Sequence, residues 1–187
     1  MYSEASFTRP RPDCPHPERW TALDPQATEV EVIVLVAALI GALQPDVVIE
    51  TGTYTGAMAH TIGEQLRHNG QGRLVTMEPD VDRSRAAVEL CAGLPVTVLT
   101  RPSLDVSPDE IRSLAPGHVG FAWFDSLTEL RAAEFDHFLE LFDARTVVGF
   151  HDAGPHHGPW SNRVRTHPRL RTIDLPTPRG CILAQVV

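Results

Sequence analysis

Apolar residues in this chain fall into short runs separated by amphipathic stretches, and the alternation is regular from residue 24 onward. Val47–Glu50, Arg73–Met77, Val96–Thr100, Phe121–Phe124 and Thr146–Phe150 are largely apolar and rich in β-branched or aromatic side chains. Such runs predict short strands buried on both faces. The intervening segments Ala57–His68, Val81–Cys91 and Leu127–Phe142 carry helical spacing, and a further helix opens at Ser107. Punctuation agrees. Asp80 is a helix N-cap, Ser107-Pro108-Asp109-Glu110 is a capping box with proline in the first turn, and Asn69-Gly70 is a stop. Asp24-Pro25 has the same look and predicts a helix from there to about Leu43. Strands alternating with helices predict a parallel sheet covered on both faces, with the strand C-termini along one edge. The tail breaks the pattern. Leu170–Leu175, a Pro- and Gly-containing turn over 176–180, and Cys181–Val187 predict an antiparallel hairpin that finishes the sheet. Pro10, Pro12, Pro15 and Pro17 make residues 1–19 extended. The organisation read from this is an N-terminal arm over 1–23 and a single domain over 24–187.

Composition narrows the function classes. The 187 residues suffice for one domain with a sizeable core. A net charge of −8 argues against a nucleic-acid partner held through phosphates. The longest apolar run, Val32–Leu43, is too short to span a bilayer, and Met1–Pro17 lacks an apolar signal core. Cys14, Cys91 and Cys181 are odd in number and widely spaced, which predicts neither a zinc knuckle nor a disulfide framework and points to a reduced, cytoplasmic setting. All sixteen basic residues are Arg. No Lys can serve as general base, Schiff-base former or phosphate clamp.

The segment Val47-Val48-Ile49-Glu50-Thr51-Gly52-Thr53-Tyr54-Thr55-Gly56 joins a buried strand, a strand-end acid, a glycine turn and the start of a helix. Glycine at 52 and 56 permits a tight turn and close approach to a ligand, and helix-start N–H groups would face that ligand. The acid disfavours a diphosphate and suits a cationic group such as an amino-acid ammonium. This segment resembles the first motif of class I S-adenosylmethionine-dependent methyltransferases. Its Glu-x-Gly-Thr-x-x-Gly form is most similar to the small-molecule O-methyltransferases related to catechol O-methyltransferase. The resemblance implies a Rossmann-like class I methyltransferase sandwich: an α/β fold with a mostly parallel seven-stranded sheet and a C-terminal antiparallel hairpin. It further implies S-adenosylmethionine as cofactor, a small-molecule substrate, and Glu50, Gly52, Thr53, Tyr54 and Gly56 in the cofactor site. A homodimer is the candidate assembly.

In open α/β sheets ligands lie beyond the strand C-termini, so the residues after each strand are the informative ones. Glu78 follows the second strand, where a carboxylate can accept hydrogen bonds from a ribose diol; a surface acid near a helix start is the alternative. After the third, Ser103 is the candidate for the adenine. After the fourth and fifth come Asp125 and the pair His151-Asp152. In the family an Asp at the former position binds a divalent ion or holds the reaction centre, and catechol-type enzymes have Asp-Asn at the latter. Asp125 and Asp152 could supply oxygen ligands to magnesium or manganese, with His151 shifting the preference among metals. Alternatively His151 is a metal-free general base. Asp125, His151 and Asp152 are thus the catalytic candidates on either account. One departure stands out: catechol-type enzymes carry a catalytic Lys three residues after the strand-four Asp, and Thr128 stands here. The leading expectation is methyl transfer to an oxygen, less readily a nitrogen, of a small molecule. The rivals are a non-methylating enzyme on the same fold, a nicotinamide-dependent oxidoreductase, and a non-catalytic cofactor-binding subunit.

Overall fold

The computed structural model describes residues 10–187. Seven strands form one sheet: β1 (Val47–Thr51), β2 (Arg73–Met77), β3 (Val96–Leu99), β4 (Val119–Phe124), β5 (Val147–His151), β6 (Leu170–Leu175) and β7 (Cys181–Val186). Their spatial order is β3-β2-β1-β4-β5-β7-β6. The first five are parallel; β7 runs antiparallel to both β5 and β6. The expected hairpin therefore closes the sheet. The chain winds outward from β1 to β3, then returns to β4 on the other side of β1. This reversal opens a crevice between the C-terminal ends of β1 and β4, where ligands bind in open α/β sheets.

Six helices cover the sheet: α1 (Val30–Leu43), α2 (Ala57–Asn69), α3 (Val81–Leu90), α4 (Pro108–Leu114), α5 (Arg131–Phe138) and α6 (Trp160–Arg165). The strand pleat divides the core in two. Val47, Ile49, Ala122 and Phe124 pack on one side with Phe135 and Phe138 of α5 and Val164 of α6. Val48, Phe121 and Trp123 pack on the other with Val36 and Ile40 of α1 and Ile62 of α2. Apolar runs that read as continuous in sequence thus serve two faces by period-two alternation.

Three expectations are corrected. The first helix begins at Val30. Asp24 does cap, but it caps a turn: its carboxylate accepts from the N–H of Gln26 and Ala27. Residues 25–29 then run as a strap, with Ala22 and Glu29 in an antiparallel bridge. Tertiary pairing of Thr28 and Glu29 overrides a local helix signal, as it commonly does. Second, the helix expected over Leu127–Phe142 is shorter: Leu127–Leu130 form a turn, α5 ends at Phe138, and a 3-10 turn covers Leu139–Leu141. Third, residues 153–167, for which the apolar pattern predicted no element, contain α6. Of the N-terminal arm, residues 1–9 lie outside the described residues. Beyond them the chain lies on the hairpin, where Arg11 N–H donates to the Pro178 carbonyl at 2.8 Å.

Candidate active site

A cavity of about 410 Å³ opens at the β1/β4 crevice, within the size range of small-molecule sites. Residues after each of the five parallel strands reach it, among them Glu50, Glu78, Ser103, Asp125 and Asp152, and the strap 26–28 forms another wall. All the strand-end residues singled out in sequence therefore converge except two: Gly56, which is not part of the lining, and His151, which lies behind it, 1% exposed.

The glycine turn is built by packing of the chain on itself. Gly52 has φ +81°, and a Cβ there would sit 2.4 Å from the Asp125 carbonyl oxygen. Gly56 has φ +94°, and its Cβ would meet the Cα of Ala87 on α3 at 2.9 Å. Both neighbours are backbone. The glycines let β1 and α2 approach β4 and α3, and Gly52 also lines the cavity. Two non-glycine residues at the rim, Tyr54 (φ 54°) and Asp152 (φ 52°), also sit in the left-handed region. Such strain concentrates at functional sites.

Glu78 is oriented by backbone. One carboxylate oxygen accepts from Tyr54 N–H at 2.9 Å and the other from Asp80 N–H at 3.0 Å. Each oxygen keeps a lone pair for a further donor. Glu50 is deeper. Its carboxylate accepts from the Thr76 hydroxyl at 2.5 Å, which is linked in turn to the Thr53 hydroxyl. Burial pushes the Glu50 pKa up to about 8; the Thr76 hydroxyl opposes this, and Asp125 and Glu78 add to it. Ser103 does not leave its hydroxyl proton free for a ligand: it donates to Glu134, which also accepts from Thr51 at 2.9 Å and Ser126 at 2.7 Å. Burial raises the Glu134 pKa against these three hydroxyls. Glu134 thus ties the ends of β1 and β4 to the turn after β3.

Beside the cavity, six charged groups interlock. His151 sits between Asp125, 3.0 Å from Nδ1, and Glu29, hydrogen-bonded to Nε2. Burial opposes the imidazolium, but Asp125, Asp152 and Glu29 outweigh it and push the His151 pKa up to about 10. The partners move the other way: against burial, His151 lowers Glu29, and His151 with Arg131 lowers Asp125. Arg131 Nη2 donates to Asp125 at 3.0 Å and to Asp152 at 2.9 Å, while its Nε donates to the Ser126 carbonyl at 3.1 Å and its Nη1 to the His151 carbonyl. Arg179 reaches Asp152 at 2.6 Å. Thr28 of the strap donates to the remaining Asp125 oxygen at 2.6 Å.

Asp125, His151 and Asp152 each offer a ligand atom within 4.8 Å of the others, a spacing at which a metal ion could be held. Their charges are already answered. The two carboxylates that a divalent ion would bridge are bridged by Arg131, and both ring nitrogens of His151 are hydrogen-bonded to carboxylates. The residues present do not fit a resident divalent ion.

Sequence reasoning missed Arg131, Glu134, Glu29, Thr28 and Arg179. Arg131 and Glu134 did leave a signal, since they fall in helical phase with the buried Phe135 and Phe138. Charges in phase with a core stripe mark buried partners. Glu29 and Arg179 left none, being remote in sequence from the groups they meet.

A protein family described as a methyltransferase domain matches residues 49–153. The chain belongs to that family, and its strand order and hairpin make it a class I, S-adenosylmethionine-dependent methyltransferase by fold. Solved structures are similar over most of both chains. The O-methyltransferase TomG from Streptomyces achromogenes, involved in tomaymycin synthesis and solved with S-adenosylmethionine, is 20% identical, covers 87% of this chain and 82% of its own, and has a TM-score of 0.72. An O-methyltransferase from Bacillus cereus in complex with S-adenosylhomocysteine is 18% identical, with coverage of 87% and 83% and a TM-score of 0.73. The methyltransferase PaMTH1 of Podospora anserina, bound to S-adenosylhomocysteine, is 16% identical, with coverage of 87% and 80% and a TM-score of 0.70. No curated protein matches. Among the described residues no helix is long and apolar enough to cross a membrane.

Proposed function

We propose that this protein transfers the methyl group of S-adenosylmethionine to a hydroxyl oxygen of a small molecule. The observation that carries the proposal is the convergence of Glu50, Glu78 and Asp125 on one cavity at the β1/β4 crevice. Bound there, the cofactor supplies an electrophilic methyl on sulfur. Glu50 suits its ammonium, because a buried acid with a raised pKa gains most from a cation that ionises it. Glu78, already oriented by two N–H groups, accepts from the ribose hydroxyls. The rim of Gly52, Thr53 and Tyr54 encloses the amino-acid end, and Ser103 lies toward the adenine. Asp125 faces the acceptor. It accepts a hydrogen bond from the acceptor hydroxyl, aims that oxygen at the methyl, and positioning supplies much of the rate. In the transfer a carbon–oxygen bond would form as the carbon–sulfur bond breaks, with the hydroxyl proton released to water. His151 is already protonated at neutral pH, so in this reading it holds Asp125 in place and is not the base. Leu127 and Leu130 on the cavity wall suit an apolar acceptor body.

The same reading makes the enzyme cytoplasmic and free of nucleic acid, supported by its net charge of −8 and three unpaired cysteines. The exposed stripe Val34, Ala38 and Ala42 on α1 supports a homodimer. The test combines calorimetry of S-adenosylhomocysteine binding with transfer of labelled methyl to a panel of phenols, hydroxy acids and aliphatic alcohols. Binding with transfer to one class is expected. Binding without transfer across the panel would replace the enzyme by a cofactor-binding subunit. Stabilisation by NAD over S-adenosylhomocysteine would replace the cofactor.

A further inference from the structure

We infer that Arg131 stands where a divalent ion would otherwise bind, so that the strand-end acids are cross-linked by the chain's own guanidinium and the centre works without a metal. This rests on the reading of that crevice as the reaction centre, and its test uses neither cofactor nor acceptor.

The argument is one of charge and geometry. Asp125 and Asp152 lie at the ends of adjacent strands, and two such carboxylates repel unless a cation lies between them. One nitrogen of Arg131 lies 3.0 Å from the first and 2.9 Å from the second. The guanidinium is 2% exposed. Its remaining N–H groups donate to the Ser126 and His151 carbonyls, the residues next to those same acids. A planar fork with fixed donors makes this bridge directional in a way an ammonium would not. Its far side is covered by the Trp160 ring, 5.4 Å from the guanidinium carbon. A small ion at about 2.0–2.6 Å from its oxygen ligands could reach both carboxylates only by driving the guanidinium out of a buried pocket in which it also holds the Ser126 and His151 carbonyls.

The acids are also answered from a second side. Arg179 reaches Asp152 at 2.6 Å, so that this carboxylate carries two guanidinium partners. Arg131 is the first residue of α5, three positions beyond Thr128, so a cation from the start of that helix reaches the acids. Arg131 is therefore a positioning residue. It fixes the two carboxylates beside the acceptor and neutralises them.

The test is Mn²⁺ binding, read by loss of the free-ion electron paramagnetic resonance signal, on cofactor-free protein at neutral pH. Wild type and Arg131→Lys should leave the signal unchanged at millimolar ion, and their melting temperatures should be the same with chelator as with Mn²⁺. Arg131→Met should melt lower, deplete the signal saturably, and regain stability with Mn²⁺; adding Asp152→Asn should remove that site. Arg131→Gln, which keeps an amide donor, replaces the methionine variant if the latter does not fold. Saturable binding to wild type that Asp152→Asn abolishes would overturn the inference. So would a folded, uncharged variant at 131 that still ignores the ion.

Discussion

Glu50→Gln isolates the one carboxyl whose burial should govern both stability and cofactor binding. Its side chain is fully enclosed and its pKa is pushed up to about 8, against about 4.3 for an ordinary Glu. A raised carboxyl pKa means that the folded protein holds a proton the unfolded chain has released. Stability from this group is therefore full below the unfolded value and is lost as pH rises through about 8. Integrated between pH 6 and 8, the loss is about 2 kcal/mol. His151, raised to about 10, loses stability over an overlapping range in the same direction, so the wild-type slope alone does not separate the two. Glutamine keeps the shape and an acceptor for Thr76 but cannot titrate. Urea unfolding at pH 6 and pH 8 should show wild type weakening more than Glu50→Gln, by about 2 kcal/mol. Binding follows the same logic. An ammonium at Glu50 must expel that proton, so S-adenosylhomocysteine should bind wild type more tightly at pH 8 than at pH 6, with proton release visible as buffer-dependent calorimetric heat. The variant should lose both the release and about 1.5–3 kcal/mol of affinity. Equal pH dependence of unfolding in the two proteins would refute a protonated Glu50. Proton release that survives in the variant would assign it to another group.

Other outcomes follow from the same geometry. Glu78→Ala should weaken S-adenosylhomocysteine binding roughly ten- to a hundredfold by calorimetry, through loss of a charged acceptor; unchanged affinity would remove Glu78 from the site. Gly52→Ala should cost about 2–5 kcal/mol in urea unfolding, combining a left-handed backbone with overpacking, whereas Gly70→Ala, where nothing lies within 4 Å, should cost only about 1–2 kcal/mol. Similar losses would mean that the Gly52 turn is not packed on β4. His151→Gln should destabilise by about 3–5 kcal/mol by removing the cation between Glu29 and Asp125 and leaving Glu29 buried without a charged side-chain partner. The His151 carbon resonance in wild type should show no titration between pH 6 and 8, and a midpoint near neutrality would restore a general-base role.

The sequence by itself determined the strands, most of the helices and the edge of the sheet at which the cavity opens. Uninterrupted apolar runs identify doubly covered strands, caps such as Asp80 and Ser107 identify helix starts, and a strand C-terminus is a fixed address in an α/β sheet. Glu50, Glu78 and Asp125 were legible on those grounds. Tertiary structure decided what those residues can do. Glu29 meets His151 across 122 positions and Thr28 meets Asp125 across 97, distances over which no local pattern carries information. The same contacts hold residues 25–29 as a strap where the local signal predicted the start of a helix. They also changed the sense of the acid cluster. Read from their strand-end positions and the family resemblance, Asp125, His151 and Asp152 form either a candidate metal site or a metal-free centre with His151 as base. Folding brings Arg131 and Arg179 into the gap and three carboxylates around the imidazole, and in a site shielded from water the neighbouring charges fix protonation state and ligand preference more strongly than residue type does.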